Sequence, residues 1–138
     1  MFIDSGTVAA DFIWNGLLLP IVSERVIRIL KQNNIEKFST YDIRITHKNK
    51  EIPGYKGLVI LGRGGSTDPK SYIDGKIPGT DIQKIKGIFP TKWDGTDLFT
   101  LDDMYLMALA TDRVKTIFKK EKVTNCKFKS AEEFRLGY

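Results

Sequence analysis

The chain of 138 residues has one cysteine, Cys126, and one histidine, His47. A lone cysteine excludes an internal disulfide, so nothing points to an oxidising compartment. Val123 and Phe128 beside it suggest a half-buried strand position, where a thiol serves as a small apolar filler. A cysteine nucleophile wants a histidine and an orienting group. His47 stands in RITHKNKE without a second ligand nearby and reads as a surface residue at a strand end. Long apolar runs are also lacking. No stretch reaches the roughly 18 apolar residues that a membrane span needs. The most apolar segment, AADFIWNGLLLPIV at 9–22, is interrupted by Asp11, Asn15, Gly16 and Pro20. It has no basic leader and fails as a signal peptide. The cytoplasm is the expected location.

Complete catalytic and cofactor motifs are missing as well. LGRGGSTDPKS at 61–71 offers Gly62, Gly64 and Gly65, with Arg63, Ser66, Thr67 and Lys70 as groups that can touch a phosphate. A phosphate cradle needs backbone N–H groups converging on the anion, usually at a helix start. Neither the Walker spacing nor G-x-G-x-x-G is present, and Pro69 and the Asp74-Gly75 turn signal follow instead of a helix pattern. A surface turn is the simpler reading. A nucleotide- or phosphate-binding enzyme using the Gly62–Lys70 loop stays open as an alternative. KWDGTDLF at 92–99, with Asp102 and Asp103, is acidic but lacks the ligand alternation and closing Glu of a calcium loop. Asp94-Gly95 reads as a turn, and Asp97 as a residue that caps or orients a neighbouring loop. Glu132 and Glu133 are adjacent, so neither helix nor strand makes them an acid/base pair. No catalytic residue, metal site or cofactor is expected.

What is present is an ordinary globular balance. Hydrophobic residues make up 41% and charged residues 28%, enough for one folded domain over 1–138 and too apolar for a disordered chain. The net charge of +5 permits attraction to nucleic acid, to anionic membranes or to an acidic protein, and does not choose among them. Its largest concentration is Lys115, Lys119, Lys120, Lys122, Lys127 and Lys129. A solvated face accounts for such a run. Nucleic-acid binders interleave arginines and aromatics with their lysines. Here the cluster is all lysine, and Phe118 and Phe128 fall at core positions. A nucleic-acid-binding lysine face is therefore a further alternative, and its mark would be affinity that falls steeply with salt.

The strongest pattern is internal. VSERVIRILKQNNI at 22–35 returns as ATDRVKTIFKKEKV at 110–123, with Arg25 and Arg113 separated by 88 residues. Under that step Ser23 meets Thr111, Glu24 meets Asp112, Val26 meets Val114, Ile29 meets Ile117, Leu30 meets Phe118 and Ile35 meets Val123. Ser and Thr suit the N-cap. The acidic residue after them suits the positive end of the helix dipole, and the lysines that follow suit its negative end. The apolar residues share one face. Strands are expected around both helices: EKFSTYDIRITHK with Phe38, Tyr41, Ile43 and Ile45 inward, a buried YKGLVILG at 55–62, a hairpin turning at Asp74-Gly75, two strands around Asp102-Asp103, and a short strand in TNCKFKS. The expected fold is a single α+β domain. Two equivalent capped helices pack on a mixed or mostly antiparallel sheet.

These same segments carry a family resemblance. ADFIWNGLLLPIVSERVIRILKQNNIEKFSTYDIRI, PGYKGLVIL, WDGTDLF and ATDRVKTIFKKEKVTNCKF, in that order, resemble the immunity protein eleven domain of bacterial polymorphic toxin systems, and the resemblance covers most of the chain, Ala10 to Phe134. The family shows a Val-Ser-[Glu/Asp]-Arg helix opening, a central Tyr-containing strand and a Gly-x-Asp-[aliphatic]-Phe segment. The chain departs from it at Ala10, where the family often has Pro. It is also shorter at the front than many relatives, which leaves room for a missing N-terminal part of a longer protein. The resemblance implies a non-enzymatic protein that docks on a cognate toxin and blocks it. The basic charge suits an acidic toxin face rather than mimicry of nucleic acid. Candidate partner-binding residues are Lys115, Lys119 and Lys122 on the second helix, with Arg63 and Lys70 on the Gly-rich loop.

Overall fold

In the computed structural model, residues 10–13 and 20–136 are described; half of the apolar segment at 9–22 lies outside them. The described residues open with two short antiparallel strands, β1 (Phe12–Ile13) and β2 (Ile21–Ser23), in which Phe12 faces Val22. Helix α1 (Glu24–Gln32) follows directly. Ser23 is its N-cap, the hydroxyl accepting from the Val26 N–H at 3.3 Å. Val26, Ile27, Ile29 and Leu30 are buried on one face. Strand β3 (Phe38–Asp42) comes next, then a small hairpin of β4 (Ile45–His47) and β5 (Lys50–Ile52), then β6 (Tyr55–Ile60). β6 inserts between β2 and β3, giving an antiparallel sheet in the order β1-β2-β6-β3.

The second half repeats the plan. β9 (Leu98–Leu101) and β10 (Met104–Ala110) form an antiparallel pair, with Leu98 facing Ala110, and lead straight into α2 (Asp112–Lys120). Between the halves lie a single 3-10 turn at Pro69–Ser71 and strands β7 (Tyr72–Lys76) and β8 (Gln83–Lys86); the terminal β11 (Arg135–Leu136) adds to β8. The principal hydrophobic core is shared. Val22, Val26, Leu30, Leu58 and Ile60 from the first half meet Leu98, Val114 and Phe118 from the second. This is the α+β architecture expected, and its strand ladders are antiparallel.

The repeat extends beyond side-chain type. Helix α1 ends with the Ile35 N–H bonded to the Leu30 carbonyl at 2.9 Å, and α2 ends with Val123 bonded to Phe118 at 3.0 Å. Asn34 and Lys37 have positive φ after α1, and their counterparts Lys122 and Asn125 have it after α2. Asp11 accepts from the Ser23 hydroxyl at 2.7 Å and from Arg25 Nη1 at 2.9 Å. Asp97 accepts from the Thr111 hydroxyl at 2.6 Å and from Arg113 Nη1 at 2.7 Å. The arginines then cross over. Arg25 Nη2 donates to the Glu121 carbonyl at the end of α2, and Arg113 Nη2 donates to the Asn33 carbonyl at the end of α1. Terminal helix carbonyls have no partner within their own helix. Each half therefore closes the other's helix with a charged donor, the stronger kind of hydrogen bond.

Several local expectations are corrected. Thr111 occupies the N-cap of α2 but makes no side-chain cap bond; its hydroxyl donates to Asp97 instead. The expected hairpin turn at Asp74-Gly75 falls inside β7, where Gly75 sits at an irregular register with φ +101°. The chain reverses later, at Ile77–Thr80, closed by the Thr80 N–H on the Ile77 carbonyl at 3.0 Å. Pro78 fixes φ at the first turn position and Gly79, at φ +77°, takes the left-handed second one. Tyr41, read as inward, is 39% exposed, and Phe38 to Ile45 divide between two strands. Residues 126–130 show the expected alternation, with Cys126 and Phe128 half-buried between exposed Lys127 and Lys129, but they join no ladder.

Candidate binding surface

The Gly-rich loop is a structural seam. Its Gly64 N–H donates to the Thr100 carbonyl at 3.0 Å, and the Thr100 N–H returns a bond to Gly62 at 3.1 Å. The loop thereby lies as an extra rung along β9. A side chain at Gly62 would place Cβ 2.1 Å from the Leu98 carbonyl oxygen, so glycine is needed for the close approach. Several loop amides are engaged within the protein. Arg63 N–H donates to Asp94 Oδ2 at 2.8 Å, Thr67 N–H to Asp103 Oδ1 at 2.9 Å and Asp68 N–H to the Phe89 carbonyl at 2.7 Å. They do not converge on an open anion site. Arg63 Nη1 is pinned to the Ile60 and Gly62 carbonyls, both at 2.9 Å, and to Thr100 Oγ1 at 3.1 Å. Lys70 places its ammonium 4.4 Å from the centre of the Phe89 ring, a cation–π contact.

The acidic neighbourhood of the sequence resolves into separate anchors. Asp97 holds Thr111 and Arg113, the orienting role expected of it. Asp94 closes its own turn on Thr96, whose hydroxyl holds the carboxyl below its ordinary pKa. Asp103 ties the loop to the β9–β10 turn, accepting from Thr67 Oγ1 at 2.8 Å and from the Tyr72 hydroxyl at 2.9 Å. Partial burial opposes its ionisation, but the Thr67 and Tyr72 hydrogen bonds prevail and lower its pKa. Among the described residues, no group of three or more His, Cys, Asp and Glu gathers where it could hold a metal. His47 is exposed.

Lys115 and Lys119 are exposed on α2, as expected. Lys122 is also exposed but lies past the helix end, in the positive-φ turn, and is not a helix residue. Lys115 stands at the mouth of a cleft of about 630 Å³, within the usual size range of ligand pockets. One wall is Ala108 to Thr111 of β10 and its exit. The other is the unpaired segment from Cys126 onwards, and the floor is core: Leu30, Leu58, Leu98 and Phe118. Lys127 and Lys129 stand on the rim. Burial pushes the Cys126 thiol up to about 11, which keeps it protonated and poorly nucleophilic at neutral pH. Arg63 and Lys70 are not among the cleft's lining residues, so the five residues expected to bind a partner do not form one patch around it. Sequence reasoning missed Asp11, the buried hub that accepts from Ser23, Arg25 and the Thr124 N–H. The available signal was the Asp-Phe of 11–12 beside the Asp-Leu of 97–98, hidden because these stand 86 residues apart, off the 88-residue step.

The chain matches no family model and no curated protein. No helix among the described residues is long and apolar enough to cross a membrane.

Proposed function

We propose that the chain is a non-enzymatic binding protein of the immunity type, acting in the cytoplasm by docking on a cognate toxin. The observation that carries this reading is the division of labour among its polar groups. Asp11, Asp94, Asp97 and Asp103 hold the fold, as do the loop amides around Arg63. The exposed lysines around the α2 cleft remain for an outside partner. Lysines rimming an apolar floor suit a partner surface that is acidic outside and aliphatic at its centre. The resemblance to the immunity protein eleven domain supports the same class. The loop geometry does not favour a phosphate-binding enzyme, since the N–H groups of Arg63, Gly64, Thr67 and Asp68, which a cradle would turn on an anion, are used by the fold.

Co-expression with toxin domains encoded beside the gene tests the proposal. Rescue of growth by the intact chain, together with co-purification of the two proteins, is the expected result. Survival without physical association would sink direct docking, and so would a lack of protection against every neighbouring toxin.

A further inference from the structure

The two halves share a plan, and among the described residues the second lacks a part that the first has. In the first half β6 fills the space between β2 and β3, pairing Ile21 with Gly57 and Thr40 with Leu58. The 88-residue step carries Pro20, Ile21 and Val22 to Ala108, Leu109 and Ala110, and β3 to residues 126–130. Those are the two walls of the cleft. Among the described residues, no strand lies between them.

Burial among the described residues shows the same difference between the halves. Val22 is wholly buried, whereas Ala110 is exposed; Pro20 is buried, whereas Ala108 is exposed. On the helices Ile27 is buried at 8%, whereas its counterpart Lys115 is exposed. Residues 126–130 keep a strand's alternation without a partner to bond. The hydrogen-bonding direction is fixed as well. The Thr111 N–H points inward to the Asp97 carbonyl at 2.9 Å, so strand alternation turns the Ala110 N–H toward the cleft. The first half shows that edge in use: the Leu58 N–H of β6 donates to the Pro20 carbonyl at 3.0 Å.

From this we infer that the cleft is a strand-accepting slot, taking an extended segment of a partner polypeptide in which acidic residues alternate with aliphatic ones. The inference deepens the binding-protein reading and rests on it for the existence of a partner. The register of β6 sets the chemistry. Leu58 and Ile60 face the core in the first half, so the guest needs aliphatic residues at those positions. Alternating with them, Gly57 faces Tyr41 and Val59 faces Ser39. Their counterparts in the second half are Lys129 and Lys127, so the guest needs carboxylates there. Main-chain bonds supply affinity in such strand addition, and alternate side chains supply specificity.

The test uses the isotope-labelled intact chain and the peptide Ac-SELEIES-amide, with Ac-SKLKIKS-amide as control, followed by amide NMR and hydrogen exchange. The expected result is new amide protection at Ala108–Ala110 and at residues 126–129 with the acidic peptide, and slower alkylation of Cys126. Ala110→Pro removes the outward N–H at an edge position that tolerates proline; it is expected to stay folded and lose the protection. Lys127→Glu with Lys129→Glu, both on the exposed rim, is expected to weaken the acidic peptide about tenfold, since two cross-strand charge pairs reverse. No binding at millimolar peptide overturns the inference, as does binding unchanged by Ala110→Pro. Equal binding of both peptides overturns the choice of guest. Protection that appears without peptide and grows with protein concentration overturns it too, because a second copy then takes the slot. Peptide binding without protection against any toxin removes the function proposed above and leaves the slot, whereas protection that survives Ala110→Pro removes the slot and leaves the function.

Discussion

The hairpin–helix unit at 11–35 and the one at 97–123 are the same device in two settings. Both hold a helix start with an Asp, a hydroxyl and an Arg, and both end the helix in a positive-φ turn. They differ in what surrounds them. The first is sealed by β6 and β3, and its Asp11 is buried at 8%. The second stands open beside β10, and its Asp97 is half-buried. The comparison teaches that the repeated parts make the frame, while the unrepeated cover decides which half presents a surface.

The largest contrast is expected at the two aspartates. Asp11→Ala strips partners from Ser23, Arg25 and Thr124 at a buried site and should cost about 3 kcal/mol in urea unfolding. Asp97→Ala loses two partners at a wetter site and should cost about 1–2 kcal/mol. Equal losses would break the claim that the first unit is the sealed one. Next come the helix faces. Ile27→Ala should cost about 2 kcal/mol by opening a cavity. Lys115→Ala at the equivalent place should stay within about 0.5 kcal/mol. A third contrast lies at the caps: Ser23→Ala removes an N-cap bond that Thr111 does not make, and a loss of about 1 kcal/mol is expected.

The smallest effects are in pH. Cys126 has its pKa raised from 9.0 to about 11 in the folded chain. Its contribution is complete below about 9 and is lost as pH rises toward 11. Cys126→Ser should remove that slope from a stability–pH profile, and no cysteine answers it in the first half, where Phe38 stands at the equivalent position. Asp103 runs the other way. Its lowered pKa gives stability present above the ordinary aspartate range and lost as acid carries the pH through the depressed value. Asp103→Asn should flatten the acid limb of the same profile.

The helices and the Ser23 cap were legible because a helix is a local object: Ser23, Glu24 and the Val26–Leu30 face need no distant residue to be recognised, whereas the cap expected of Thr111 was lost to Asp97, a distant partner. Lys115 and Lys119 on α2 were legible for the same reason, whereas Lys122 falls beyond the helix end. Residues 126–130 show the limit. Their alternation was read correctly, but a ladder needs a neighbour, and alternation carries no information about one. The turn at Asp74-Gly75 failed on competition, because Pro78-Gly79 downstream offers both turn positions their preferred φ. The Asp11–Arg25 hub was illegible at a constant step because the second hairpin is two residues longer, Asp97 to Thr111 spanning 14 where Asp11 to Ser23 spans 12. The cleft has no sequence signature of its own; it exists only where two distant segments fail to meet.

The crossed arginines have a consequence for melting and for traffic between molecules. Because Arg25 finishes α2 and Arg113 finishes α1, loosening either unit frays its sibling, so calorimetry should record one endotherm rather than two. Reciprocal fastening also means that one molecule's leading unit could clasp another's trailing unit with the same bonds. Crowded refolding would then yield an exchanged dimer, built without a single new contact type.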